Sequence, residues 1–198
     1  MKEQAEMTDT WSLKEFLEDE SVTQHEAGML YLPSGRIVAR DPACGAEPAF
    51  HRTVPPGRYR VTAGTVDTLM EGTRVAYLAL WIKDTPIMGH EPANHEGSDD
   101  YVYGVDAGMG CFVDATLAAA ARAAVRAALD ARDPVVLYGD WNYLDYPVGA
   151  GNVVLCRSGF GDGAYATYAG LDAQGDVVCF VTDFGVIDDD GNEEDDEE

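Results

Sequence analysis

Basic residues are scarce in this chain. Its 198 residues hold 13 Lys and Arg against 36 Asp and Glu, a formal net charge of −23 at pH 7 with histidine neutral. A field of that sign repels nucleic acid and anionic membranes, and it favours basic proteins or cations. Long apolar runs are missing too. Stretches such as "VAYLALWI" are short and interrupted, so no transmembrane helix is expected. The N-terminal "MKEQAEMTDTW" has no apolar segment of the kind a secretory signal needs. No CxxC pair occurs: Cys44, Cys111, Cys156 and Cys179 stand far apart. They read as reduced thiols, not as a disulfide or zinc framework, and so point to the cytoplasm. A phosphate-binding loop with lysine, a Ser-centred elbow and a dinucleotide fingerprint are likewise absent, so no cofactor is expected.

What is present is a globular composition, with 46% hydrophobic and 10% aromatic residues in a length that suits one domain. The last eleven residues, "DDDGNEEDDEE", carry nine acids and no base; without them 27 acids still face 13 bases. The acidity therefore belongs to the body as well as the tail. It serves either recognition of a basic partner or solubility alone. The expected organisation is a helical lead-in over 1–27, one domain over 28–187, and a disordered acidic tail over 188–198.

Along the chain, "WSLKEFLEDE" spaces Trp11 or Leu13 with Phe16 and Leu17 as a short amphipathic helix. "MLYLPSGRIVA" sets two apolar runs around Pro33 and Gly35 and reads as a hairpin. "VPPGRYRVTAGTV" follows a turn with alternating Tyr59, Val61 and Ala63, and "RVAYLALWI" reads as a strand buried on both faces. "DTPIMGHEPANHEGSDD" (84–100) is polar and reads as a mobile loop. "DATLAAAARAAVRAALDARDP" is the one long helix, with Asp114 as N-cap, a buried stripe of Leu117, Ala121, Val125 and Leu129, and Pro134 as its stop. "PVVLYGDW", "NVVLCRS", "AYATYAGL" and "DVVCFVTDF" read as strands, the last two joined by the turn "DAQG". Strands on both sides of a single long helix, without regular alternation, predict an α+β fold. Its expected form is a mainly antiparallel, sandwich-like sheet with the Ala-rich helix packed on it.

Two glycine-rich stretches carry the candidate chemistry. In "YGVDAGMGCFVD", Gly108 and Gly110 free the backbone, and Cys111 precedes the helix. A thiol at a helix N-terminus has a lowered pKa, which makes Cys111 a candidate nucleophile. A base is needed as well, and nothing ties His25, His51, His90 or His95 to Cys111. The alternative is a small buried thiol under a tight turn. In "SGFGDGAYATYAGLD", Asp162 sits between glycines, while Asp172 and Asp183 end strands. Asp106, Asp162 and Asp183 are candidates to converge on one cation or substrate, or else to be ordinary turn residues. A binding site shared by the two stretches would use Asp106, Gly108, Gly110, Asp114, Asp162, Tyr165 and Tyr168. "HEPANH" spaces its histidines five apart and carries Pro92, so it is not a zinc helix. "VIDDDGNEEDDE" places Asp188, Asp190, Gly191 and Glu197 in calcium-loop register but has Val186 at the first ligand position.

These two stretches, with "LPSGRIVARDP" and "VPPGRYRV" before them, resemble the bacterial domain of unknown function family 4241 from about residue 30 to residue 184. The family commonly has Trp where Phe160 stands and Pro where Ala166 stands. The resemblance implies one common fold and carries no assigned activity. The "GDG-x-Y" stretch followed by a strand pair also resembles bacterial immunity and interaction domains. The leading expectation is a non-catalytic cytoplasmic binding protein of immunity or defence-accessory type, recognising a basic partner. The rival is a hydrolase using Cys111 or a divalent metal held by Asp106, Asp162 and Asp183.

Overall fold

The described residues form elements in the order α1 (Leu13–Leu17), β1 (Thr23–Leu32), β2 (Ile37–Arg40), β3 (Gly57–Thr68), β4 (Gly72–Trp81), β5 (Gly89–Pro92), β6 (Val102–Val105), β7 (Met109–Asp114), α2 (Ala118–Asp130), β8 (Tyr143–Val148), β9 (Gly151–Arg157), β10 (Gly163–Leu171) and β11 (Val177–Asp183). They belong to a computed structural model that describes residues 11–45, 48–70, 72–133, 136 and 142–187. The chain is α+β, with mainly antiparallel sheet. One sheet runs β1-β3-β4-β11-β10-β5, with β6 also on β10, and a second runs β2-β7-β9-β8.

Period-two patterning decides which faces are buried. In the smaller sheet, Ile37, Ala39, Phe112, Val154 and Cys156 share one core with Leu30, Val61, Leu78, Leu80 and Phe180 of the larger sheet. The alternate residues Val38, Cys111, Val113, Val153 and Leu155 form a second core with Ala118, Ala121 and Val125 of α2. The smaller sheet is therefore covered on both faces, which its near-continuous apolar strands require. Alanine on the inner face of α2 lets the helix backbone approach the sheet. Its buried stripe is Ala118, Ala121, Val125 and Ala128, with Leu117 and Leu129 only half-buried at the ends.

Three local expectations are corrected. The Pro-Ser-Gly turn does not close a hairpin: β1 pairs with β3, and β2 pairs with β7 in the other sheet. Ile37, Val38 and Ala39 are all buried, and only the inner position between two layers satisfies both of their faces. The 84–100 stretch is not a plain loop, because Gly89–Pro92 form β5 against Tyr168–Leu171 and His95 bridges to Phe50. Its polar side chains are used, as in the Arg52–Glu91 pair at 2.8 Å and the Arg36–Glu96 bonds. Asp114 is not a helix cap, since it ends β7 while Leu117 stands at the N-cap without a side-chain bond.

β1 begins at Thr23, ahead of the boundary read at residues 27 and 28. α1 is shorter than its sequence window; Ser12 caps it, and Leu13 and Phe16 are its buried contacts. Pro134, the segment "PVVLYGDW" apart from Val136, and the acidic tail with its calcium-like register from Asp188 onward lie outside the described residues. Among the described residues no helix is long and apolar enough to cross a membrane.

Candidate functional site

The loop Asp106-Ala107-Gly108 joins β6 to β7, and a buried carboxylate shapes it. Asp41, fully buried at the end of β2, accepts the backbone N–H of Asp106 at 2.9 Å and of Ala107 at 2.7 Å through Oδ2. Its Oδ1 accepts from Ala43 and Cys44 at 2.7 and 3.1 Å. Four charge-assisted bonds therefore tie two turns to one side chain. Gly108 supplies the turn's positive φ of 62°. Gly110 is required for a different reason: a Cβ there would stand 2.5 Å from Tyr103 Oη and 2.8 Å from Phe184.

Cys111 follows within strand β7, not at a helix end. Its side chain is 1% exposed and packs in the core beneath α2, which begins only at Ala118. The helix N-terminus that the nucleophile reading needs is thus not beside it. The other thiols are not in disulfides either. Burial pushes Cys156 well up, and pushes Cys179 up to about 12. The histidines occupy other settings. His25 bonds Thr65 at 2.9 Å, His90 lies against Trp11, and buried His95 stacks on Phe50.

Asp114 links the Pro-Ser-Gly turn to the start of the helical segment. It accepts from Ser34 N and Oγ, both at 2.9 Å, and from Thr116 N and Oγ1 at 2.8 and 2.6 Å. Burial alone would raise this carboxyl, but the Thr116 and Ser34 donors outweigh it and hold it below its ordinary value.

The two glycine-rich stretches do meet. Strand β6 pairs with β10 so that Val105 faces Gly163, which sets the exposed Asp106 and Asp162 at neighbouring strand ends. Ser158 N also donates to Gly108 O at 3.1 Å. Asp183 does not join them. Thr182 pairs with Thr167, so Asp183 lies roughly 13 Å along the sheet from Asp162 at ~3.3 Å per residue. Its carboxyl is pushed up by burial, against one bond from Gly185 N. The cation site expected from Asp106, Asp162 and Asp183 is not assembled, and among the described residues no group of three or more His, Cys, Asp or Glu is placed to hold a metal.

Tyr165 and Tyr168 part company as well, because residues three apart on a strand take opposite faces. The Tyr165 hydroxyl donates to Gly161 O at 2.8 Å, and its ring meets Phe184 edge-on. Burial raises its pKa. Tyr168 belongs to an aromatic group with Trp11, His90 and Tyr101.

Two features escape the motif reading. A cleft of about 630 Å³ opens between α1 and the segment after β4, with Trp81, Arg60, Lys83 and Lys14 in its wall. Its cations are largely engaged: Arg60 with Glu26, and Lys83 with Asp172 and Asp176. At the tip joining β3 to β4, Leu69 and Met70 are 105% and 95% exposed. The signal for them was a bulky apolar pair at a turn, where polar residues or glycine are usual.

No curated protein and no solved structure matches the chain. A family model described as "Protein of unknown function (DUF4241)" matches residues 30–182, which include β2 to β10 and all of the converging loops described above. With most of its length covered by that match, the chain belongs to the DUF4241 family.

Proposed function

We propose that this is a non-catalytic binding protein of the cytoplasm, with a sandwich-like body whose acidic surface recognises a basic protein, in the manner of an immunity or defence-accessory protein. The observation that carries this reading is where the charge stands. Among the described residues, basic side chains are committed to ion pairs, Arg36 with Glu96, Arg52 with Glu91, Arg60 with Glu26, and Lys83 with Asp172 and Asp176. Carboxylates such as Asp67, Asp106 and Asp162 face solvent in a chain of net charge −23. Such a surface accelerates encounter with a basic partner and disfavours nucleic acid and anionic membrane.

A hydrolase built on Cys111 has no geometric support, since the thiol is sealed in the core beneath α2. The test is calorimetric titration with a lysine-rich peptide and with a glutamate-rich peptide of equal length. Binding of the first alone, weakening steeply between about 50 and about 300 mM NaCl, is expected. Equal affinity for both, or indifference to salt, overturns the reading.

A further inference from the structure

Three of the large apolar side chains left in solvent stand on the β3–β4 hairpin or beside it. Leu69 and Met70 form the tip of the β3–β4 hairpin, at 105% and 95% exposure, and Phe160 is 56% exposed in the turn before β10. Arg74 links them: it pairs across the hairpin with Val66, and its guanidinium lies 5.9 Å from the centre of the Phe160 ring. Arg74 follows Met70 by four residues, so the tip lies within about 13 Å of the Arg74 backbone, and the arginine side chain spans from the hairpin to Phe160.

Exposed carboxylates border this apolar group. Asp67 flanks the tip, with Oδ1 accepting from Thr73 Oγ1 at 2.6 Å. Asp162 follows Phe160 by two residues and adjoins Asp106 through the β6–β10 pairing. An apolar centre with a polar rim is the anatomy of a protein interface. Exposed apolar side chains of this size forgo burial that a partner would supply.

We propose that this part of the molecule is a docking surface, where Leu69 and Met70 enter an apolar cleft of a basic protein while Asp67, Asp106 and Asp162 meet Lys or Arg at the cleft's rim. The inference rests on the basic-partner reading and adds the place and mode of contact. Charge complementarity selects this occupant. A second copy of the chain brings the same net charge of −23 and is repelled, as an anionic membrane is.

Fluorescence anisotropy with three probes tests it: a labelled oligolysine, an equally charged amphipathic lysine–leucine peptide, and phosphatidylcholine vesicles. The amphipathic peptide is expected to bind at least about tenfold more tightly than oligolysine, and the double variant Leu69→Ser/Met70→Ser to remove that advantage while sparing oligolysine binding. The triple variant Asp67→Asn/Asp106→Asn/Asp162→Asn is expected to weaken both peptides. All five side chains are exposed, and an unchanged melting temperature confirms that each variant is folded.

If the tip variant binds the amphipathic peptide as wild type does, this docking surface is wrong while the basic-partner reading stands. If neither peptide binds at low salt, both fall. Vesicle binding that disappears in the tip variant overturns the protein-partner assignment in favour of a membrane.

Discussion

Oδ2 of Asp41 accepts the backbone N–H of Ala107 at 2.7 Å across 66 residues of chain. That bond makes the Asp106–Gly108 loop a fixed turn. Asp41→Ala strips acceptors from four backbone donors, those of Ala43, Cys44, Asp106 and Ala107. We expect a loss of about 3–5 kcal/mol in urea unfolding, against about 1–3 for Asp41→Asn, which keeps one oxygen. A loss below about 1 kcal/mol for Asp41→Ala would falsify this account of the loop.

Asp114 acts through the same device and adds a pH signature. Its carboxyl is depressed in the folded protein, net of burial, by Thr116 and Ser34. A depressed carboxyl contributes stability that is complete above its unfolded pKa of about 4 and is lost as pH falls through the lower folded value. Asp114→Asn should therefore be about 1–3 kcal/mol less stable than wild type at neutral pH. The gap should close progressively below about pH 4. A gap that persists unchanged in strong acid shows that the charge is not its source.

Asp183 carries the opposite sign. Burial raises its carboxyl pKa, so in the folded protein its ionised form is disfavoured, and that penalty is felt as pH rises through the unfolded value. Asp183→Asn should leave stability at neutral pH unchanged or slightly higher. Thermal melts at two pH values decide this, and a clear loss at neutral pH would mean that the carboxylate has a favourable partner.

The thiols should divide by burial. Cys44 is half-buried, whereas Cys111, Cys156 and Cys179 are at most 1% exposed. Alkylation of the native protein, read by peptide mass spectrometry, should label Cys44 first and leave the three strand thiols protected until unfolding. Selective labelling of Cys111 at neutral pH would reopen the nucleophile reading.

Residues 188–198 contain no apolar side chain. Deleting them should shift the melting temperature by less than about 5 °C, the effect of roughly 1–2 kcal/mol in a domain of this size. A larger drop means that the segment docks on the body.

Elements whose signals are local can be read from the residues alone. Alternating apolar residues place β3, apolar runs place β4, β9, β10 and β11, and the alanine run places α2. Turn chemistry marks "DAQG", where Gly175 N bonds back to Asp172 O. The convergence of the two glycine-rich stretches was legible only as a question, and the burial of Cys111 only as one of two readings.

Whatever depends on partners far apart in the chain emerges only once the sheets pack. The turn at Pro33 looks the same whether β2 folds back on β1 or crosses to the other sheet; Asp114, 80 residues away, holds Ser34 at the crossing. Asn152 shows the same limit. Its Oδ1 accepts Tyr31 N and its Nδ2 donates to Met29 O, both at 2.9 Å, so a side-chain amide takes the place of a strand for β1 across more than 120 residues. Local propensity and spacing reach only a few residues, whereas these bonds exist because burial of both faces of the smaller sheet brings distant polar groups together and leaves them no water to bond instead.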